Sequence, residues 1–210
     1  MSSPEKLIEG FRRFRERHFA SSTSQFQDLA QFGQTPQALV VACCDSRVDP
    51  ALVLDCEPGD LFVIRNVANL VPPAENLGHF HGTSAALEFG VQNLGVPHII
   101  VLGHAQCGGI QALLEGGIHK QDSFIAEWMG IAGAARQKAD QELSGLDDKR
   151  LRQRACEQQA ILVSLDNLMT FSWIRERVEQ GKVTLHGWYF DIEVGEILGY
   201  NATTDQFEKL

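Results

Sequence analysis

Apolar and polar residues fall along this chain in blocks more often than in strict alternation. Three runs, Leu39-Val-Val-Ala42, Leu61-Phe-Val-Ile64 and Ile99-Ile-Val-Leu102, are continuously apolar, and Pro or Gly stands near their ends. Such runs predict strands buried on both faces. Pro50 to Asp55 reads as a short helix, and Glu57-Pro-Gly-Asp60 as a turn. Residues 82 to 94 read as a helix whose apolar face uses Ala85, Ala86, Phe89 and Asn93, stopped by Gly95 and Pro97. Strand and helix in alternation imply a parallel sheet flanked by helices. In such folds ligands bind at the carboxyl ends of the strands.

The flanking stretches extend this picture. Ser2 and Ser3 before Pro4 and Glu5 mark a helix start, and Leu7, Ile8, Phe11, Phe14 and Phe19 recur at near-helical spacing among four arginines. This arm is expected to pack on the body or on another subunit. Gly108 to about Gln180 reads as helices broken near Gly116-Gly117 and Ser144-Gly145, anchored by Trp128, Leu162, Leu165, Leu168 and Trp173. The tail returns to strand over 183–192 and 197–200, a C-terminal pair joined at Gly195. With no repeat or linker, the expectation is one α/β domain over 1–210. It comprises a helical arm (1–30), a core (31–110), a helical region (111–180) and C-terminal strands (181–210).

Composition narrows the function classes. Apolar residues make up 44% and charged residues 21%, as in an ordinary folded domain. A net charge of −9 argues against nucleic acid as the main partner. No apolar stretch is long enough to cross a bilayer, and the first ten residues lack the apolar core of a signal peptide. A cytoplasmic location follows as an expectation. Five cysteines in a chain of 210 residues, in a reducing compartment, point to metal ligands, catalytic groups or packing rather than disulfides.

The chemistry gathers where two strands end. The first apolar run passes into Cys43, Asp45 and Arg47, which share one face if the chain stays extended. The third passes into His104 and Cys107. Two thiols and an imidazole suit tetrahedral zinc with one open position, the arrangement of catalytic rather than structural zinc. Competing readings are inert core thiols, a redox pair, and structural zinc with Asp45 as fourth ligand. Arg47 weighs against the last, since a guanidinium two residues on can hold Asp45 in a bidentate pair. Cys44, Cys56 and Cys156 read as packing residues. His79 and His81, in a loop flanked by Gly and Pro, are candidates for a proton relay or plain surface residues.

Cys43-Cys-Asp-Ser-Arg47 and His104-Ala-Gln-Cys107 match the C-x-D-x-R and H-x-x-C signatures of the β-class carbonic anhydrases. Glu57 to Asn69, Gly103 to Gly109 and His186-Gly-Trp188 also resemble that family, so the likeness covers roughly residues 30 to 200. It implies a β-carbonic anhydrase-like fold and the zinc-dependent reversible hydration of carbon dioxide to bicarbonate and a proton. Cys43, His104 and Cys107 would hold one Zn2+ per subunit, with Asp45 and Arg47 as the catalytic dyad. Gln34 and the Gly108 N–H would bind bicarbonate, and Phe62, Val67 and Phe89 would line the carbon dioxide pocket. Some of these would come from a neighbouring subunit, since a homodimer is the family's minimal active unit. Hydrolysis of a related small molecule such as carbon disulfide, and a non-catalytic zinc scaffold, are the alternatives. A tryptophan and a tyrosine that shape a regulatory bicarbonate pocket in one subgroup are replaced here by Val40 and Phe190, and Ala42 replaces a glycine; only Arg65 matches. The chain therefore resembles the other, non-allosteric subgroup.

Overall fold

The computed structural model describes residues 4–20, 24–75, 80–116 and 123–210. The first apolar run forms β1 (Ala38–Cys43), whose six residues are all buried because a strand lies on each side of it. β2 (Leu61–Asn66) pairs parallel with β1 on one side, and β3 (His98–His104) pairs parallel with it on the other. β4 (Thr184–Asp191) adds to β3 in parallel, and β5 (Glu196–Asn201) and β6 (Gln206–Lys209) follow antiparallel. The order is β2-β1-β3-β4-β5-β6, a mostly parallel sheet in an α/β fold.

Helices supply the flanks. They are α1 (Pro4–Phe19), α2 (Gln25–Phe32), α3 (Pro50–Val53), α4 (Gly82–Glu88), α5 (Gly108–Glu115), α6 (Phe124–Gly130), α7 (Gly133–Glu142), α8 (Lys149–Leu168) and α9 (Ser172–Glu179). α8 crosses β3 and β4 with Cys156, Glu157, Ala160, Ile161, Ser164 and Leu168 turned inward. Gly103 and Gly187 make this contact close: a Cβ on either would stand within 2.9 Å of Ile161 side-chain atoms. Leu39, Val41, Ile99 and Val101 join Leu87, Val91, Ile161, Leu168 and Ile174 in one apolar cluster. Among the described residues no helix is long and apolar enough to cross a membrane.

Several sequence expectations need correction. The run 61–64 is not a buried strand: β2 is an edge, only Ile64 is buried, and Val63 is 38% exposed. In the 82–94 helix the buried residues are Leu87, Gly90 and Val91, one helical face, with Ala86 packed beside them as expected; Phe89, two positions from Leu87, falls on the outer side, and Ala85 and Asn93 are exposed. The tail holds a further strand, β6, whose sequence Gln-Phe-Glu-Lys has a single apolar residue to signal it. Cys44 is exposed, so packing does not account for it, whereas burial pushes Cys156 up to about 12 and keeps it an inert thiol. In the single chain the α1 stripe is uncovered, with Leu7, Ile8 and Phe11 more than half exposed; Phe14 and Phe19 meet Phe26 of α2. Ser2, Ser3, Gly78, His79, Gly117 and His119 lie outside the described residues.

The Ile161 contact gives a test of the sheet–helix packing. Ile161→Ala should cost about 2–5 kcal/mol through lost burial and the cavity left against Gly103 and Gly187. Urea unfolding would measure it, and a cost under 1 kcal/mol would contradict the packing.

Candidate metal centre

The parallel register brings two strand ends side by side. Ala42 lies opposite Leu102, so Cys43 and His104 leave the sheet at the same edge. Ala105 N–H then donates to the Phe190 carbonyl at 2.9 Å, which ties the next turn to β4. That turn delivers Cys107 as the residue capping α5. Cys43, His104 and Cys107 are all buried, and their donor atoms lie within 4.8 Å of one another. No other such cluster of three occurs among the described residues.

The donor set fits zinc. The two sulfurs are 4.0 Å apart, and two sulfurs on one tetrahedral zinc stand about 3.8 Å apart. His104 Nδ1 donates to the Ala105 carbonyl at 2.9 Å, which fixes the tautomer and leaves Nε2 as the free lone pair. Nε2 is buried without a hydrogen-bond partner among the described residues, which is costly unless an ion or another group satisfies it. The electrostatics agree. The Cys43 thiol is held down at about 4, first by the hydrogen bond from Cys107 and then, against the cost of burial, by His104. Cys107 is pushed far up by its bond to that same sulfur and by burial. Burial is the largest influence on His104 and lowers it, but Cys43, the Ala105 carbonyl and Asp45 together outweigh it and raise the imidazole. N–H groups of Gly109 and Ile110 in the first turn of α5 favour a thiolate at Cys107.

Asp45 stands beside this cluster but is not part of it. β1 stops at Cys43, so Asp45 and Arg47 sit in a turn and meet by hydrogen bonding rather than by strand alternation. Arg47 Nε donates to Asp45 Oδ1 at 2.9 Å and Nη2 to Oδ2 at 2.7 Å, the bidentate fork expected from the spacing. These bonds hold the Asp45 carboxyl well below the usual carboxylate range. Arg65 clamps the turn from β2: it donates to the carbonyls of Cys43 and Asp45 at 2.9 and 2.7 Å and pairs with Asp49 at 2.8 Å. Asp49 in turn caps α3.

The pocket candidates divide. Val67 is close by: its side chain packs on Gly109, and its carbonyl accepts from Trp128 Nε1 at 2.8 Å. His81 and Trp128 line a groove of about 680 Å³ with Val67. Gly108 begins α5 immediately after Cys107 and is exposed. Phe62 and Phe89 contact each other at 5.9 Å between ring centres, but Phe62 pairs with Leu39, four residues before Cys43. That is roughly 13 Å at the rise of an extended chain. Gln34 precedes β1, is exposed, and has no hydrogen bond to the cluster within the described chain.

One buried support has no counterpart in the sequence reading. Glu157 accepts from the Cys107 N–H at 2.9 Å, from Gln153 at 2.9 Å and from the Tyr189 hydroxyl at 2.8 Å. Burial raises the Glu157 pKa. Its spacing with Ala160, Ile161, Ser164 and Leu168 is the signal that an acid lies on the inward face of this helix.

Comparison with known proteins bears on the same residues. A family model described as carbonic anhydrase matches residues 38–197. A carbonic anhydrase of Synechocystis sp. is 38% identical over 206 residues, spanning 97% of this chain and 73% of that one. Beta carbonic anhydrase 6, mitochondrial, of Arabidopsis thaliana is 39% identical over 205 residues, spanning 96% and 69%. Among solved structures, the β-carbonic anhydrase CcaA superposes with a TM-score of 0.91 at 36% identity and covers 100% of both chains. A tetrameric β-carbonic anhydrase of Sordaria macrospora gives 0.74 at 29% identity, covering 95% and 94%.

The ligand assignment predicts that Cys43→Ser abolishes stoichiometric zinc, measured by metal analysis after dialysis. Zinc still bound at one per chain would rule Cys43 out.

Proposed function

This chain belongs to the β-carbonic anhydrase family, and we propose that its reaction, the reversible hydration of carbon dioxide to bicarbonate and a proton, runs at the Cys43–His104–Cys107 cluster with one zinc ion per subunit. The observation that carries the reading is the convergence of these three ligands beside an aspartate held clear of them by Arg47. Zinc held there supplies a Lewis acid that acidifies water. Cys43 and Cys107 bring two negative charges, which temper that acidification. Asp45, fixed as an acceptor by the Arg47 fork, takes a hydrogen bond from the attacking water and aims its lone pair. The Gly108 N–H, at the positive end of α5, donates to the charge that develops on bicarbonate. Val67 contributes an apolar wall suited to a non-polar substrate.

Gln34, Phe62 and Phe89 complete the site across a subunit interface, so the active form is a homodimer or a larger homo-oligomer. The register that sets Phe62, with Phe89 against it, four residues back from Cys43 supports this, as does the uncovered Leu7, Ile8 and Phe11 stripe of α1. All five cysteines are free, which supports a reducing compartment such as the cytoplasm.

Asp45→Asn should retain zinc and lose most turnover in stopped-flow carbon dioxide hydration, and full activity would refute the assigned role. Arg47→Ala should let the Asp45 pKa rise towards its ordinary value near 3.9. Both values lie far below neutrality, so Asp45 stays ionised, and activity lost with Arg47 should be lost equally from about pH 6 to 9. A loss confined to the acid side would contradict this. Phe11→Glu should shift the assembly towards smaller species in sedimentation velocity, and an unchanged size would contradict the α1 interface.

A further inference from the structure

Asp45 is held by Arg47, and the structure also shows what holds Arg47. Its guanidinium is about half exposed and would otherwise be free to change rotamer. The nitrogen that donates to Asp45 Oδ2, Nη2, also donates to the backbone carbonyl of Gln106 at 3.1 Å. Gln106 stands between His104 and Cys107 with a φ of 58°, a left-handed conformation that a non-glycine residue adopts only when its surroundings enforce it. The backbone on both sides is tied down, at Ala105 and at Cys107, and the side chain is held as well. The Gln106 amide donates to Glu193 Oε1 in the turn between β4 and β5. Arg150, in the first turn of α8, grips both oxygens of Glu193 at 2.6 and 2.8 Å. The Glu193 N–H donates to Asp191 at 3.1 Å, and Asp191 is itself held by Arg154 of α8 at 2.9 Å.

We propose that Gln106 and Glu193 are positioning residues for hydration: anchored on α8 through Arg150, they fix the Gln106 carbonyl that steadies Arg47, and through Arg47 the Asp45 carboxylate. Neither contributes a donor atom to the metal cluster. The inference rests on the reaction proposed above. Small displacements of an orienting group are costly in rate, since reacting atoms must meet within a narrow range of distance and angle. Loss of the anchor frees Arg47 and Asp45 to move together as a pair, without removing either.

The test compares zinc-loaded, full-length Glu193→Ala and Gln106→Gly with the parent, each also in an Arg47→Ala background. Glycine keeps the carbonyl and accepts the φ of 58° but deletes the anchor. The expected result is a fall in kcat of about 3- to 10-fold, with KM and zinc content unchanged and no further fall once Arg47 is absent. Glu193→Gln, which still offers Gln106 an acceptor, should recover most of the rate. An equal loss in both backgrounds would reveal a merely structural role and overturn the proposal, as would no loss at all. A crystal structure of zinc-loaded Glu193→Ala reads the positioning without reference to activity. Arg47 should have left the Gln106 carbonyl, and an unmoved Arg47 overturns the proposal even if the parent proves inactive towards carbon dioxide.

Discussion

The parallel pairing of β1 with β3 is the constraint on which this structure depends. It sets two strand ends side by side, so that Cys43 and His104 emerge at one edge, and the turn after His104 returns Cys107 to the same point. Three donors within 4.8 Å and buried from solvent leave an unsatisfied imidazole nitrogen and two thiols that compete for one proton. A divalent, thiophilic cation relieves both at once. The apolar sheet beneath exists to hold that geometry. Its glycines at 103 and 187 let α8 approach closely enough to bring Glu157 behind Cys107.

Around the ligands the chain is held by backbone contacts more than by bulk. Arg65 reaches two carbonyls of the turn after β1, Arg47 reaches one in the turn after β3, and Glu157 receives the Cys107 N–H. Ala68, Asn69 and Gln106 all take left-handed conformations beside the site. Non-glycine residues persist there only where neighbours over-determine them. The result is a metal-binding edge whose acid, Asp45, is held ready next to the cluster yet outside it.

Much of this was legible from residues alone. Continuous apolar runs marked β1 and β3, and the ligand types at their ends marked the cluster. The spacing of Asp45 and Arg47 foretold their fork. What escaped depended on long-range placement. β2 reads as apolar as β1, but it lies at an edge, and sequence periodicity does not report neighbours. Phe89 is as apolar as its buried neighbours, but it stands two positions from Leu87 and so faces away from the sheet. The contacts of Gln106 with Glu193 and of Cys107 with Glu157 join residues 87 and 50 positions apart, and no local pattern encodes such pairs. The separation of Phe62 from Cys43 emerged only from the register.

The most direct test of the central claim is titration of zinc into metal-free protein while carbon dioxide hydration is followed by stopped flow. The account predicts activity that rises linearly with bound zinc and reaches its plateau at one ion per chain. Stoichiometric zinc binding without carbon dioxide turnover would contradict it.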